Sequence, residues 1–208
     1  MLTKKWVFDE QHVPEDLVNR DAELSGLTRA FSPTLHGTAG HNVLISGPSG
    51  VGKTVTTRYA LELLDEQSTV ASTQLQCITL TKSDIFRRVL DAVPAAGSVD
   101  RDTPALDILD ELRSPVDQPV IVVLDEADCL PELSVLGDLL RVPEISVVVI
   151  SHQPERFLSR VDTNVCDKFR GECGCHIPFE RYTVDELVAI LRARADHGLV
   201  PDAVGDEQ

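Results

Sequence analysis

The chain has 208 residues, 42% hydrophobic and 25% charged, which is enough to bury the core of one α/β domain and too apolar for a disordered chain. Its net charge is −15, with lysine only at Lys4, Lys5, Lys53, Lys82 and Lys168. That surface opposes non-specific binding to a phosphate backbone in dilute salt, and it resembles proteins of salt-loving organisms.

No apolar run is long enough to span a bilayer, and Met1–Glu10 lacks the apolar stretch of a signal peptide. Five unevenly spaced cysteines do not make a disulfide framework, so a cytoplasmic protein with reduced thiols is expected. His41–Ser46 predicts a short buried strand that runs into a glycine-rich turn. Lys53–Leu64 predicts a helix with Val55, Tyr59 and Leu63 on its apolar face. Leu75–Leu80 reads as a second strand. Ser83–Val93 reads as a helix capped by Ser83, with Ile85, Phe86, Val89, Leu90 and Val93 at helical spacing. Pro94–Pro104 is loop-like, and Ala105–Leu112 predicts a helix with Leu106, Leu109 and Leu112 on one side. Val120–Leu124 and Val147–Ile150 are β-branched runs of the kind found in central strands covered on both faces. A short strand is expected near Cys175–Pro178. Thr183–His197 predicts a last helix, opened by a Thr183–Glu186 capping box, and the tail Pro201–Gln208 reads as frayed.

Gly47-Pro48-Ser49-Gly50-Val51-Gly52-Lys53-Thr54 matches G-x-x-x-x-G-K-[ST] between a strand and a helix. The glycines let backbone amides turn toward phosphates, and the following helix adds its positive end. Lys53 would reach the β- and γ-phosphates, and the Thr54 hydroxyl would ligate Mg²⁺. Val55 follows as the next binding position. The run Val120–Leu124 ends in Asp125-Glu126: the first acid suits the Mg²⁺ shell, through water, and the second suits general-base work on an attacking water. A nucleoside triphosphate with Mg²⁺ is therefore the expected ligand, with Lys53 and Glu126 as catalytic residues.

The P-loop, the strand ending Leu124-Asp125-Glu126-Ala127-Asp128 and the strand Val148–Ser151 together resemble the AAA+ ATPases. Val7-Phe8, Val13-Pro14, Leu17 and Asn19-Arg20-Asp21-Ala22-Glu23-Leu24 are similar to the leading segment of archaeal replication initiators of the Orc/Cdc type. Further along, Phe179, Tyr182, Glu186-Leu187, Ile190-Leu191 and Arg194 follow the same course, so the likeness covers roughly residues 7–197. It implies a P-loop NTPase of AAA+ type, a five-stranded parallel sheet ordered 5-1-4-3-2 between helices. It divides the chain into an adenine-contacting segment (1–24, with Val13, Pro14 and Arg20 at the nucleotide), a nucleotide-binding core (25–178) and the start of a helical lid with an acidic tail (179–208).

Three departures from that pattern shape the expectation. The sensor at the end of the fourth strand, usually Asn, falls on Ser151 or His152. Asn164 stands where the family has an arginine that reaches the neighbouring subunit's nucleotide, with Arg160 and Arg170 out of register, so hydrolysis is expected to be weak at most. The chain stops at Gln208, short of a full lid and a winged-helix domain.

The expected function is an ATP-binding module related to origin-binding initiators, partnered by other AAA+ initiator subunits and, less favourably, by DNA. A regulatory module that holds ATP without turnover, and an adaptor of a mobile element, are the alternatives. Cys166, Cys173, Cys175 and His176 lack the spacing of a common zinc site and read as small core residues. Arg87-Arg88 reads as a solvated helix face.

Overall fold

Continuous apolar strands need helices on both faces, and the chain supplies them. The computed structural model describes residues 4, 12–14, 16–93, 97, 99–114, 118–170 and 174–199. In chain order the elements are α1 (Asp21–Phe31), β1 (Asn42–Ser46), α2 (Lys53–Gln67), β2 (Ala71–Gln76), α3 (Lys82–Ala92), α4 (Ala105–Leu112) and β3 (Val120–Asp125). Then come α5 (Ser134–Leu139), β4 (Ile145–Ser151), α6 (Pro154–Leu158), α7 (Thr163–Asp167), β5 (Gly174–Pro178) and α8 (Val184–Gly198). Short 3-10 turns lie at Ser32–His36 and Ala127–Cys129.

The strands form one parallel sheet ordered β2-β3-β4-β1-β5, which is the expected 5-1-4-3-2 order read from the other edge. Every residue of β3 and β4 is buried. Alternate side chains divide between two cores, as the two-residue strand period requires. Val43, Ile45, Ile121, Val123, Val148 and Ile150 pack with Leu27 and Phe31 of α1 and Ala60 and Leu64 of α2. Leu44, Val122, Leu124, Val147 and Val149 pack on the opposite face with residues of α3, α4 and α5.

Register then decides where chemistry can sit. Ser46 pairs with Ser151 and with Pro178, and Gln76 pairs with Asp125, so the carboxyl ends of the strands open on one rim. A crevice outside those ends is where open parallel sheets bind ligands.

Several local expectations shift. The second strand is Ala71–Gln76 rather than Leu75–Leu80. It is an edge strand of mostly polar residues, and the chain turns at Cys77, whose amide donates to Asp125 O at 2.9 Å. The buried face of α2 is Thr56, Thr57, Ala60 and Leu64 rather than Val55, Tyr59 and Leu63, because the helix turns Lys53 inward at its first residue. The cap of α3 is Thr81, in a capping box with Asp84, two residues ahead of the expected Ser83. In α4 Ile108 takes the buried place expected for Leu106, which is 67% exposed. The Thr183–Glu186 box opens α8 as expected. Helices α5, α6 and α7 are too short to show an apolar period, whereas α1 has one in Leu24, Leu27 and Phe31 that the sequence reading did not use. The tail Pro201–Gln208 and part of Pro94–Pro104 lie outside the described residues.

Candidate functional site

Between β1 and α2 the loop 47–52 must pass under the segment that joins β5 to α8, and only glycine fits at two points. Gly47 has φ +146°, and a Cβ there would lie 2.3 Å from the carbonyl oxygen of Phe179. Gly52 has φ +86°, and its Cβ would lie 2.7 Å from the Tyr182 hydroxyl. The overlying segment is pinned by Phe179 N donating to Ser46 O at 2.7 Å. Ser49 and Gly50 form the exposed crest of the loop, and Val51 is buried beneath it.

Lys53 is only 4% exposed. Its ammonium donates to Gly47 O at 2.8 Å, to Pro48 O at 2.7 Å and to His152 Nδ1 at 3.1 Å. Burial pulls its pKa below the usual lysine range, while Asp125, Asp128 and Glu126 pull the other way. Thr54 donates its hydroxyl to Asp125 Oδ2 at 2.7 Å, so the two expected Mg²⁺ residues already touch. Asp125 also accepts from Gln74 Nε2 at 3.3 Å and from the Glu126 amide at 2.9 Å. A hydroxyl and a carboxylate side by side are the hard oxygen donors that Mg²⁺ takes, completed by waters and phosphate.

Glu126 adopts a left-handed backbone, φ 55° and ψ 41°. A non-glycine residue there costs about 1–3 kcal/mol and is held only by its surroundings. The turn leaves Glu126 Oε2 buried with no hydrogen-bond partner among the described residues, and Oε1 3.9 Å from His152 Nε2. An orphaned carboxylate oxygen beside Asp125 fits the expected contact with a water, which can donate to it.

At the tip of β4, Ser151 donates to Asp128 Oδ1 at 2.9 Å and the His152 amide donates to Asp128 Oδ2 at 2.6 Å. The carbonyl of Asp128 in turn accepts from Arg160 Nη1 at 2.9 Å. Asp128 thus ties the turn after β3 to the end of β4, a role that sequence reading missed. Its signal was the spacing Asp125…Asp128, which a 3-10 turn folds back over the neighbouring strand. Ser151, expected to face the nucleotide, has its hydroxyl committed to this clamp. His152 faces Lys53 instead of open solvent.

Beside the loop lies a cavity of about 480 Å³. Its walls are Pro14, Asp16, Leu17 and Val18 from the leading segment, Gly50, Gly52, Val55 and Thr56 from the loop and α2, and Tyr182, Leu187, Ile190, Leu191 and Arg194 from the far end of the chain. Pro14 and Val55 are thus brought to it, whereas Val13 is half-buried and outside its lining.

Arg20, expected at the nucleotide, stands behind the loop. Nε donates to Val51 O at 3.2 Å and to Tyr182 Oη at 3.0 Å, Nη1 pairs with Glu23 at 2.7 Å, and Nη2 donates to Glu180 O at 2.8 Å. Its guanidinium carbon lies 3.9 Å from the centre of the Tyr182 ring. With each nitrogen committed to the protein and the residue 6% exposed, Arg20 braces the loop against the segment before α8 and does not face the cavity.

Elsewhere, His176 Nε2 lies 2.7 Å from Ser46 Oγ, and burial, then Arg170, pulls its pKa down. The Cys166 thiol points at Leu158 O, and Cys173 lies outside the described residues. No His/Cys/Asp/Glu group able to hold a metal by itself occurs among the described residues. Burial raises the Cys77 thiol to about 12, so it is inert as a nucleophile. Arg87 holds the carbonyls of Asp100 and Arg101, and Arg88 is solvated.

The profile described as AAA ATPase domain matches residues 16–150. ORC1-type DNA replication protein 1 of Halobacterium salinarum is 29% identical over 211 aligned positions, covering 99% of this chain and 67% of that protein. ORC1-type DNA replication protein 9 of the same organism is 29% identical over 199 positions, covering 94% and 56%. Among solved structures, the Aeropyrum pernix ORC1 protein in complex with DNA superposes with TM-score 0.77 at 25% identity, covering 99% of this chain and 56% of that one. Cdc6p from Pyrobaculum aerophilum gives TM-score 0.82 at 23% identity, with 97% and 56% covered. The chain spans about half to two thirds of the length of the curated relatives it matches. No helix among the described residues is long and apolar enough to cross a membrane.

Proposed function

The chain belongs to the AAA ATPase domain family, and from that premise we propose that its cleft binds ATP with Mg²⁺ and hydrolyses it slowly. The single observation that carries this reading is the junction of the two motifs, the Thr54 hydroxyl on Asp125 at 2.7 Å beside the buried Lys53. The backbone N–H groups of the loop 47–52, Pro48 excepted, and of the start of α2 receive the phosphates, and Lys53 neutralises their charge. Thr54 and, through water, Asp125 would hold Mg²⁺, which would supply charge neutralisation to the phosphates. Glu126, with one carboxylate oxygen unpartnered, orients and deprotonates the attacking water. The base takes the cavity between the leading segment and α8. That placement supports reading 1–24 as an adenine-contacting segment and 179–208 as the start of a lid on the core 25–178.

Slow turnover follows from the missing cation. Asn164 lies exposed on α7 and carries no charge, and Arg160 is committed to the carbonyls of Asp128 and Leu130. An arginine supplied to the γ-phosphate is worth several powers of ten in rate.

Likeness to ORC1-type replication proteins supports other AAA+ initiator subunits as partners, in a cytoplasm rich in salt. One solved relative is in complex with DNA, but here a net charge of −15 opposes that contact outside concentrated salt. The second reading, a module that holds ATP without turnover and regulates an initiator partner, is favoured by Asn164 alone. The deciding experiment is ATP turnover in molar KCl for wild type, Glu126→Gln and Lys53→Ala. Turnover lost in Glu126→Gln establishes the ATPase. Lys53-dependent ATP binding with no wild-type turnover establishes the regulatory module.

A further inference from the structure

An ammonium has three protons to donate, and Lys53 has three acceptors. Two of them, Gly47 O and Pro48 O, belong to the loop on which Lys53 itself stands. The third, His152 Nδ1, reaches in from the tip of β4. Because Lys53 is the donor, Nδ1 is the bare nitrogen of a neutral ring, and the proton sits on Nε2, toward Glu126 Oε1 at 3.9 Å. Nor is the ring there by chance of a flexible loop. Its backbone amide is held by Asp128 at 2.6 Å, and the other oxygen of the same carboxylate holds Ser151.

Lys53 is therefore saturated before any ligand arrives. For a phosphate oxygen to receive a hydrogen bond from Nζ, one of the three acceptors must be given up. The two carbonyls are fixed by the loop's backbone, and Pro48 stiffens it further. The imidazole, two-thirds covered and turning about two single bonds, is the acceptor that can leave; the His152 side chain is 33% exposed.

We propose that His152 is an internal stand-in for phosphate: it accepts from Lys53 whenever no nucleotide is bound and thereby weakens binding of both nucleoside diphosphate and triphosphate. The inference rests on the nucleotide-binding reading of the cleft. It assigns His152 an effect opposite in sign to that of a residue that recognises the γ-phosphate, since a recognising residue strengthens triphosphate binding alone. The bond buries a charge that would otherwise be under-satisfied, so losing His152 destabilises the empty cleft and leaves the filled one unaffected.

The test is a set of dissociation constants for MgADP and for a non-hydrolysable MgATP analogue, measured by calorimetry on the full chain in molar KCl. His152→Ala is expected to tighten both ligands by roughly tenfold, the size of one charge-assisted hydrogen bond that no longer competes. His152→Gln, whose amide oxygen can still accept from Lys53, is expected to stay near wild type. In a Lys53→Ala background the His152→Ala change is expected to have no effect, because the competition is gone. Unchanged affinity for both ligands in His152→Ala overturns the proposal. So does weaker binding of the triphosphate analogue with the diphosphate unaffected, which identifies a γ-phosphate contact instead. Binding of neither nucleotide by wild type or variant overturns the reading of the whole cleft, and this proposal with it.

Discussion

The two walls of the cleft are built in opposite ways. On the phosphate side three pairs of side chains at strand ends, a turn and a helix start are tied together: Lys53 to His152, Thr54 to Asp125, Ser151 to Asp128. On the base side the walls come from the two extremes of the chain, and apolar side chains do the work with much of their surface in solvent, Leu187 at 45% and Leu191 at 64%. Charge and hydrogen-bond geometry tolerate little displacement, so they are set on the sheet. An apolar wall needs only area, and what fills the cavity can complete its burial. Arg20 joins the two walls, gripping Val51 on one side and Tyr182 and Glu180 on the other.

The contrast breaks most completely at Gly47. Gly47→Val drives a Cβ into the Phe179 carbonyl at a backbone angle that only glycine adopts easily, so it should cost more than about 3 kcal/mol and collapse both walls in urea unfolding. Gly50→Ala, with nothing within 4 Å of its Cβ, should cost about 1 kcal/mol for the positive φ alone.

Arg20→Ala should cost about 3 kcal/mol, because it strands the half-buried Glu23 and two carbonyls. Arg20→Lys should recover little, since one ammonium cannot reach three directions. Thr183→Ala should cost about 1 kcal/mol, detected as faster amide exchange in α8 with the sheet unaffected. The hydrogen bonds from the Thr183 amide and hydroxyl hold the Glu186 carboxyl below the usual glutamate range. Its contribution is therefore full above that range and is lost as pH falls through the lowered value. Carbon-detected NMR titration should move Glu186 only part of the way back toward the ordinary range in Thr183→Ala, because the amide of residue 183 still donates to the carboxylate. Smallest in stability is Leu191→Ser, within about 0.5 kcal/mol of wild type, yet it should weaken nucleotide binding several-fold if the base side works by area.

The loop 47–54 and the acidic pair were legible in the sequence because each is a contiguous motif, although their meeting is not. Residues 47–54 and the pair Asp125-Glu126 follow apolar runs that could only be central strands, and the sheet order was carried by resemblance to a family with the same motifs. The base side was legible only in part. Pro14 and Val55 line the cavity, but Arg20 turns away from it, because a guanidinium with a carboxylate three residues on and two carbonyls in reach is more stable bracing backbone than facing a ligand. The β2 shift has a similar cause. Apolar periodicity reports burial, and Cys77 and Leu80 are buried in a turn, whereas Ser72-Thr73-Gln74 form a strand at an edge where polar side chains are tolerated. Asp128 was hidden because its partners are distant in sequence.

The position of β1 in the sheet bears on how the chain matures on the ribosome. β1 has only β4 and β5 for neighbours, although β2 and β3 follow it in sequence. β2 and β3 can pair as soon as residue 125 has emerged, whereas the strand that launches the phosphate loop has no partner until residues 145–151 are synthesised. Its slot is closed only by residues 174–178. Nascent chains released early would therefore carry a half-sheet with an unpaired, apolar β1, a form prone to aggregate and unable to bind nucleotide. Nucleotide capture is thus a readout of synthesis carried through β5.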